Sequence, residues 1–232
     1  QLPGDMLNHI AENIRKLLEE LPPGVSVVAV TKTRTPEEAL EAYRAGLRIF
    51  GENRVQEMMA KKPLLPDDIS WHLIGHLQSN KVRQAVATAS VIESVDSVRL
   101  LRLIDTEALA QGKNIDCLLQ VHIAAEETKS GFSVAEVAET DWREVSDSLK
   151  ASRICGLMGM ATFTDDKTKV RTEFRSLVAL FRKLRAQQFA GIKHFKELSM
   201  GMSGDWREAV SEGSTMIRVG TLIFGERILK TR

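Results

Sequence analysis

The amino-acid sequence predicts an α/β protein, a single (β/α)8 TIM-type barrel with an extra N-terminal helix, and three observations carry that expectation. Eight short apolar or β-branched runs recur along the 232 residues, with segments of helical periodicity between them. The runs are almost continuously apolar, as strands covered on both faces require. Residues 1–232 show no internal repeat, low-complexity tract or Pro/Gly/Ser-rich linker that would mark a second domain. Eight parallel strands are the number that closes a barrel, whereas an open doubly wound sheet usually uses fewer.

The elements follow in order. Residues 7–21 form an amphipathic helix ahead of the first strand, 25–30. Residues 36–45 are a helix with Pro36 near its start, where a missing N–H costs nothing. Strands are expected at 47–51, 71–75, 91–95 and 117–123. Residues 133–150 read as one helix opened by a Ser133 cap. Strands at 155–160, 198–201 and 216–220 complete the set.

The 32 basic and 31 acidic side chains nearly cancel, so no global field marks a binder of nucleic acid or membranes, and a small-molecule partner is expected. No apolar stretch approaches the roughly 18–20 residues that span a bilayer, and no charged-then-apolar leader precedes Leu2, which points to the cytoplasm. Cys117 and Cys155 lie in apolar runs without C-x-x-C spacing and read as buried thiols in a reducing compartment. No His and acid cluster has zinc-type spacing, so no metal is expected.

Barrels of this class place their chemistry where strands end and loops begin. The first such position is Lys32, which follows the small and apolar run Val27 to Thr31. Desolvation and neighbouring cations there disfavour an ammonium. Bringing an amine from about 10.4 toward neutrality costs roughly 4 kcal/mol, and the product is a Schiff-base nucleophile. The plainer alternative is a lysine that snorkels from a strand end.

Two glycine-containing turns supply the second element. Gly201-Met202-Ser203-Gly204 leads toward a helix with Asp205 near its start, and Gly220-Thr221 follows the last strand. Both offer main-chain N–H groups, with the Ser203 and Thr221 hydroxyls beside them, at the two strand ends where such barrels often seat a phosphate. Either segment alone is also an ordinary turn.

Arg218 stands inside the last strand in an otherwise apolar run, and a buried guanidinium needs a partner. That partner is either a strand-end acid such as Glu52 or the ring nitrogen of a pyridine cofactor. In the second case the ring nitrogen stays unprotonated and the ring becomes a weak electron sink. Asn53, His72 and Gln78 are candidates to line the same mouth, though His72, within a strand, reads better as a satisfied core histidine. Lys129-Ser130-Gly131-Phe132 reads as a loop with a positive-φ glycine, to which the residues assign no role.

Taken in order, Val28-Ala29-Val30-Thr31-Lys32-Thr33, Phe50-Gly51-Glu52-Asn53-Arg54-Val55-Gln56-Glu57, Trp71-His72-Leu73-Ile74-Gly75-His76-Leu77-Gln78-Ser79-Asn80-Lys81, Glu127-Thr128-Lys129-Ser130-Gly131-Phe132, Leu198-Ser199-Met200-Gly201-Met202-Ser203 and Gly213-Ser214-Thr215-Met216-Ile217-Arg218-Val219-Gly220-Thr221 run nearly the length of the chain. This set resembles the pyridoxal-phosphate homeostasis protein family, the YggS/PROSC type, also described as alanine-racemase N-terminal-domain-like. The resemblance implies a fold-type III barrel that binds pyridoxal 5′-phosphate. In it the imine would form on Lys32, Ser203, Gly220 and Thr221 would take the phosphate with Met202 beside them, Arg218 would lie near the ring nitrogen, and Asn53 beside the ring. It also implies a holder that buffers or delivers the cofactor, with apo-forms of pyridoxal-phosphate enzymes as possible recipients, and an influence on amino-acid and keto-acid balance.

Racemases of this fold type add a second, β-rich domain with an opposite-face catalytic tyrosine. The sequence ends at Arg232, and its only tyrosine, Tyr43, falls in the helix after the first strand. The expectation is therefore a monomeric, non-catalytic holder, with no catalytic residue assigned. A low-activity amino-acid racemase is the alternative, and a cofactor-free Schiff-base aldolase the third class, which leaves Arg218 unexplained.

Overall fold

The computed structural model describes residues 3–127 and 130–226, with side chains from Leu7 onward. Eight strands, β1 (Ser26–Val30), β2 (Ile49–Glu52), β3 (Ser70–Leu73), β4 (Val91–Val95), β5 (Ile115–Gln120), β6 (Ser152–Met158), β7 (Glu197–Ser199) and β8 (Met216–Val219), form a closed parallel barrel in sequence order. Closure is made by β1 against β8, with Ser26 opposite Met216 and Val28 opposite Arg218. All eight predicted runs are strands. β4 has the expected bounds and the other ends move by up to three residues; five strands stop earlier than expected because apolar character continues into the packed loops at the barrel mouth after ladder pairing has stopped.

Successive strand residues face opposite sides. One set, including Val27, Ala29, Phe50, Trp71, Leu73, Ile92, Ile217 and Val219, joins apolar helix residues in one continuous core. The other set includes Val28, His72, Glu93, Ser199 and Arg218, all buried but outside that cluster. The helical side of the core is thus apolar, while the strand face away from it holds charge.

The helices are α1 (Pro3–Glu20), α2 (Pro36–Arg44), α3 (Val55–Lys61), α4 (Val82–Thr88), α5 (Val98–Ala110), α6 (Val134–Glu139), α7 (Trp142–Ser148), α8 (Lys167–Ala186), α9 (Trp206–Glu212) and α10 (Thr221–Phe224). The expected N-terminal helix is α1, which buries Ile10, Ile14 and Leu17 at helical spacing and packs on α2 and α10. Thr35 and Glu38 cap α2 reciprocally, each side chain accepting the other's main-chain N–H at 3.1 Å, with Pro36 in the first turn.

The single helix expected at 133–150 is two. Ser133 does open it with a capping box, but Thr140 is extended (φ −71°, ψ 140°) and Asp141 starts α7 by accepting the Glu144 N–H at 3.1 Å. A short Asp side chain favours the cap over the helix interior. The break also lets Trp142 bury itself completely, its indole N–H donating to Val137 O at 2.7 Å.

Cys117 and Cys155 are free and buried, and burial pushes both thiols up, that of Cys155 to about 12. Gly131 has the expected positive φ of 105°, and Phe132 pairs with the strand end through Gln120 and His122. Thr128 and Lys129 of that segment lie outside the described residues. Among the described residues no helix is long and apolar enough to cross a membrane, and no three His, Cys, Asp or Glu side chains are grouped to hold a metal ion.

Candidate functional site

Lys32 sits two residues beyond the end of β1. The ladder outlasts the strand by one bond, Thr31 N–H donating to Gly51 O at 3.1 Å. The chain then turns sharply, closed by Arg34 N–H to Thr31 O at 2.9 Å, with Thr33 at φ 61°. Such a turn position favours glycine, and a β-branched residue there is strained by roughly 1–3 kcal/mol. Lys32 thereby occupies the leading corner of a strained turn, half-buried, and among the described residues its amine has no hydrogen-bond or ion-pair partner.

Directly behind this turn lies a buried polar cluster. Lys61 donates to Glu52 Oε1 at 2.6 Å and also to the Thr31 carbonyl, and the Thr31 hydroxyl donates to the same Glu52 oxygen at 2.5 Å. Burial pushes the Glu52 carboxyl above the usual carboxylate range, only partly opposed by the hydrogen bonds from Lys61 and Thr31. Among the described residues its Oε2 has no partner. The acid expected to neutralise Arg218 is therefore occupied elsewhere.

Arg218 is paired with a different acid, on the far side of the barrel. Its Nη1 donates to Ser199 Oγ at 2.6 Å and its Nη2 to Gly159 O at 3.1 Å, while Glu93 Oε1 lies 4.0 Å away. Ser199 passes the contact on, donating to Glu93 Oε1 at 2.5 Å, and the other Glu93 oxygen meets His72 Nδ1 at 2.7 Å. Four side chains from β3, β4, β7 and β8 are thus joined in one buried chain. Burial raises Glu93, but the bond to and charge of His72, the Arg218 charge and the Ser199 bond outweigh it, and the carboxyl is held below its usual range. Burial lowers Arg218, only partly opposed by the Glu93 and Asp205 charges. His72 is the satisfied core histidine expected of it.

The turns after β7 and β8 converge. The main-chain N–H groups of Gly220 and Leu222, at the start of α10, both donate to Ser203 Oγ at 3.3 Å. Two N–H groups aimed at one oxygen form the donor set that an anion's oxygen also uses. Asp205 does not cap α9 with its side chain; it folds back to accept the Met202 N–H at 2.7 Å. The Met202 side chain and Thr221 are exposed at the rim. A Cβ on Gly220 would come within 3.2 Å of the Val30 carbonyl, so this donor set lies against the end of β1, two residues from Lys32.

Asn53 follows β2, half-buried, and a neighbouring glycine makes its place. A Cβ on Gly75 would sit 2.2 Å from the Asn53 carbonyl oxygen, so the two loops pack main chain on main chain. Gln78 and His76 are exposed, the latter 3.4 Å from Asp96, and neither joins the cluster above. Sequence reasoning passed over Glu93, Ser199 and Lys61. Glu93 had a readable signal, an acid within an apolar strand run; Ser199 and Lys61 had none until the fold brought them together.

The alanine racemase N-terminal domain family matches residues 6–228. The pyridoxal phosphate homeostasis protein of Synechocystis sp. (strain PCC 6803) is 39% identical over 215 residues, 92% of this chain and 96% of the relative. PipY of Synechococcus elongatus PCC7942, solved with pyridoxal phosphate bound, superposes with a TM-score of 0.82 at 40% identity, covering 93% of this chain and all of PipY. An alanine racemase of Clostridium difficile 630 shares the fold, with a TM-score of 0.78 at 14% identity, over 97% of this chain and 57% of its own.

Proposed function

Since the chain belongs to the pyridoxal phosphate homeostasis protein family, within the alanine racemase N-terminal domain group, we propose that it binds pyridoxal 5′-phosphate at the barrel mouth and holds it without turnover. The observation that carries this reading is the placement of two converging N–H groups, from Gly220 and Leu222, against the strand whose next loop bears the unpartnered Lys32 amine.

Lys32 would hold pyridoxal phosphate through its amine, and the bound group would supply the aldehyde that this amine meets. Ser203, Gly220 and Thr221 serve the phosphate through hydroxyl and main-chain donors, with Met202 on the rim. Asn53, half-buried after β2, would stand beside the ring. Arg218, always charged and anchored on Ser199 and Gly159, still has N–H donors to spare and can give one to a ring nitrogen but cannot protonate it.

That last feature favours holding over catalysis, because an unprotonated ring draws electrons weakly. Tyr43 points the same way. It lies on α2, donates its hydroxyl to Asp68 at 2.6 Å and stacks under Arg48, and so is committed on the outer surface. All the named residues come from one barrel, which suffices as a monomer. The free buried thiols suit a reducing cytoplasm. Delivery to apo-enzymes is the matching physiological role.

The test is the visible spectrum of the purified protein with pyridoxal phosphate, before and after borohydride, together with deuterium exchange. An imine band that converts to a pyridoxyl adduct, with no sustained α-deuterium incorporation into single-enantiomer amino acids, supports the holder. Sustained exchange favours the racemase alternative instead, and absence of any band removes both.

A further inference from the structure

The two peptide groups that flank the Lys32 Cα are both held by side chains of one short helix. The carbonyl on its N-terminal side, that of Thr31, accepts from Lys61. The N–H on its C-terminal side, that of Thr33, donates to Glu57 Oε2 at 3.2 Å. Glu57 and Lys61 are one turn apart on α3, and the helix follows β2 and Asn53 directly.

We propose that Lys61 and Glu57 are positioning residues for imine formation, fixing the main chain on both sides of Lys32 so that its amine meets the aldehyde in one orientation. The inference rests on the cofactor reading above. It is argued from where costs fall. Lys61 is a buried amine whose removal from water is unfavourable unless paired; Glu52 is a fully buried carboxylate with one oxygen unpartnered; Thr33 is a β-branched residue at φ 61°. A buried ion pair with one carboxylate oxygen unpartnered and a strained main-chain position thus surround a single loop residue. That residue carries the one amine in the loop, whose own side chain is left without a partner. Held peptide planes on either side reduce the freedom the lysine stem must lose when it reacts, and reacting groups are sensitive to small misplacements.

A clamp of this kind acts on the carbon–nitrogen bond and not on the phosphate cup, so the two are separable with two ligands. Pyridoxal 5′-phosphate can condense with Lys32; pyridoxamine 5′-phosphate, which carries an amine in place of the aldehyde, reports only the cup and the ring contacts. Two variants remove the clamp from different sides. The double substitution Glu52→Gln with Lys61→Met keeps side-chain volume and leaves no buried charge unpaired, while Glu57→Ala removes the acceptor of the Thr33 N–H at a partly exposed site. In each, pyridoxal phosphate affinity and the rate of imine absorbance growth should fall about tenfold or more. Pyridoxamine phosphate affinity should change by less than about twofold. Thermal unfolding of the apo-protein verifies that each variant folds, and Glu57→Ala decides the matter if the double variant does not. Equal losses for both ligands, or unchanged imine formation in a folded variant, overturn the clamp while leaving the cofactor reading intact. A wild-type chain that forms no imine on Lys32 removes that reading and the clamp together, a distinguishable result.

Discussion

Arg218 and Ser199 are joined by a 2.6 Å hydrogen bond from the guanidinium Nη1 to the hydroxyl oxygen, and through that hydroxyl the only charge of β8 is tied to Glu93 on the opposite side of the barrel. The charge is therefore balanced without consuming the acid that stands behind Lys32.

Glu93→Gln should destabilise the protein by ~3–5 kcal/mol near neutral pH, because it leaves Arg218 buried without its ion-pair partner. The folded carboxyl lies below its usual range, so its stabilisation is full above the unfolded value of about 4.3 and is lost as pH falls through the lower folded value. The gap between wild type and variant in urea unfolding should accordingly narrow on acidification below about pH 4. A gap that widens there contradicts the assignment.

Arg218→Ala should shift the position or pH response of the imine band more than it weakens cofactor retention. Absorbance titration of the loaded variant checks this. An unchanged spectrum would reduce Arg218 to a structural partner of Glu93.

Ser203→Ala leaves the Gly220 and Leu222 N–H groups without their present acceptor and removes one donor to phosphate. Affinity for pyridoxal phosphate should drop about tenfold, the worth of one charge-assisted hydrogen bond, with little change in overall fold. Equilibrium dialysis at constant pH measures it. Unchanged affinity would move the phosphate elsewhere.

Gly75→Ala forces a methyl into the Asn53 carbonyl, where the ideal position is only 2.2 Å from the oxygen, and main chain cannot swing aside as a side chain does. A loss of more than ~2 kcal/mol in chemical unfolding is expected. A neutral result would mean the two loops do not touch.

The barrel was legible because its signal is local and repeated: a buried parallel strand must be apolar on both faces, and eight runs announce themselves. The same apolar continuity hid the strand ends. Lys32, Ser203 and Gly220 could be nominated because strand-end position and residue chemistry coincide. The pairing of Arg218 could not, since strand order puts β8 across from β4 but does not say which of their inward residues meet, and Glu52, nearer to the mouth in the same motif as Asn53, looked the better acid. Lys61 was invisible for a related reason. On a helix it reads as a solvated surface lysine, and only the register of α3 against the β1 loop turns it inward. The break at Thr140 was missed because helical periodicity spans it, while the Asp141 cap depends on one side-chain bond.

Lys32 is the residue expected to bear the cofactor. Borohydride reduction of the protein loaded with pyridoxal phosphate, followed by peptide mass spectrometry, tests it most directly. A pyridoxyl adduct on Lys32 that disappears in Lys32→Ala is the expected result; an adduct on another lysine, or none on any, would rule Lys32 out.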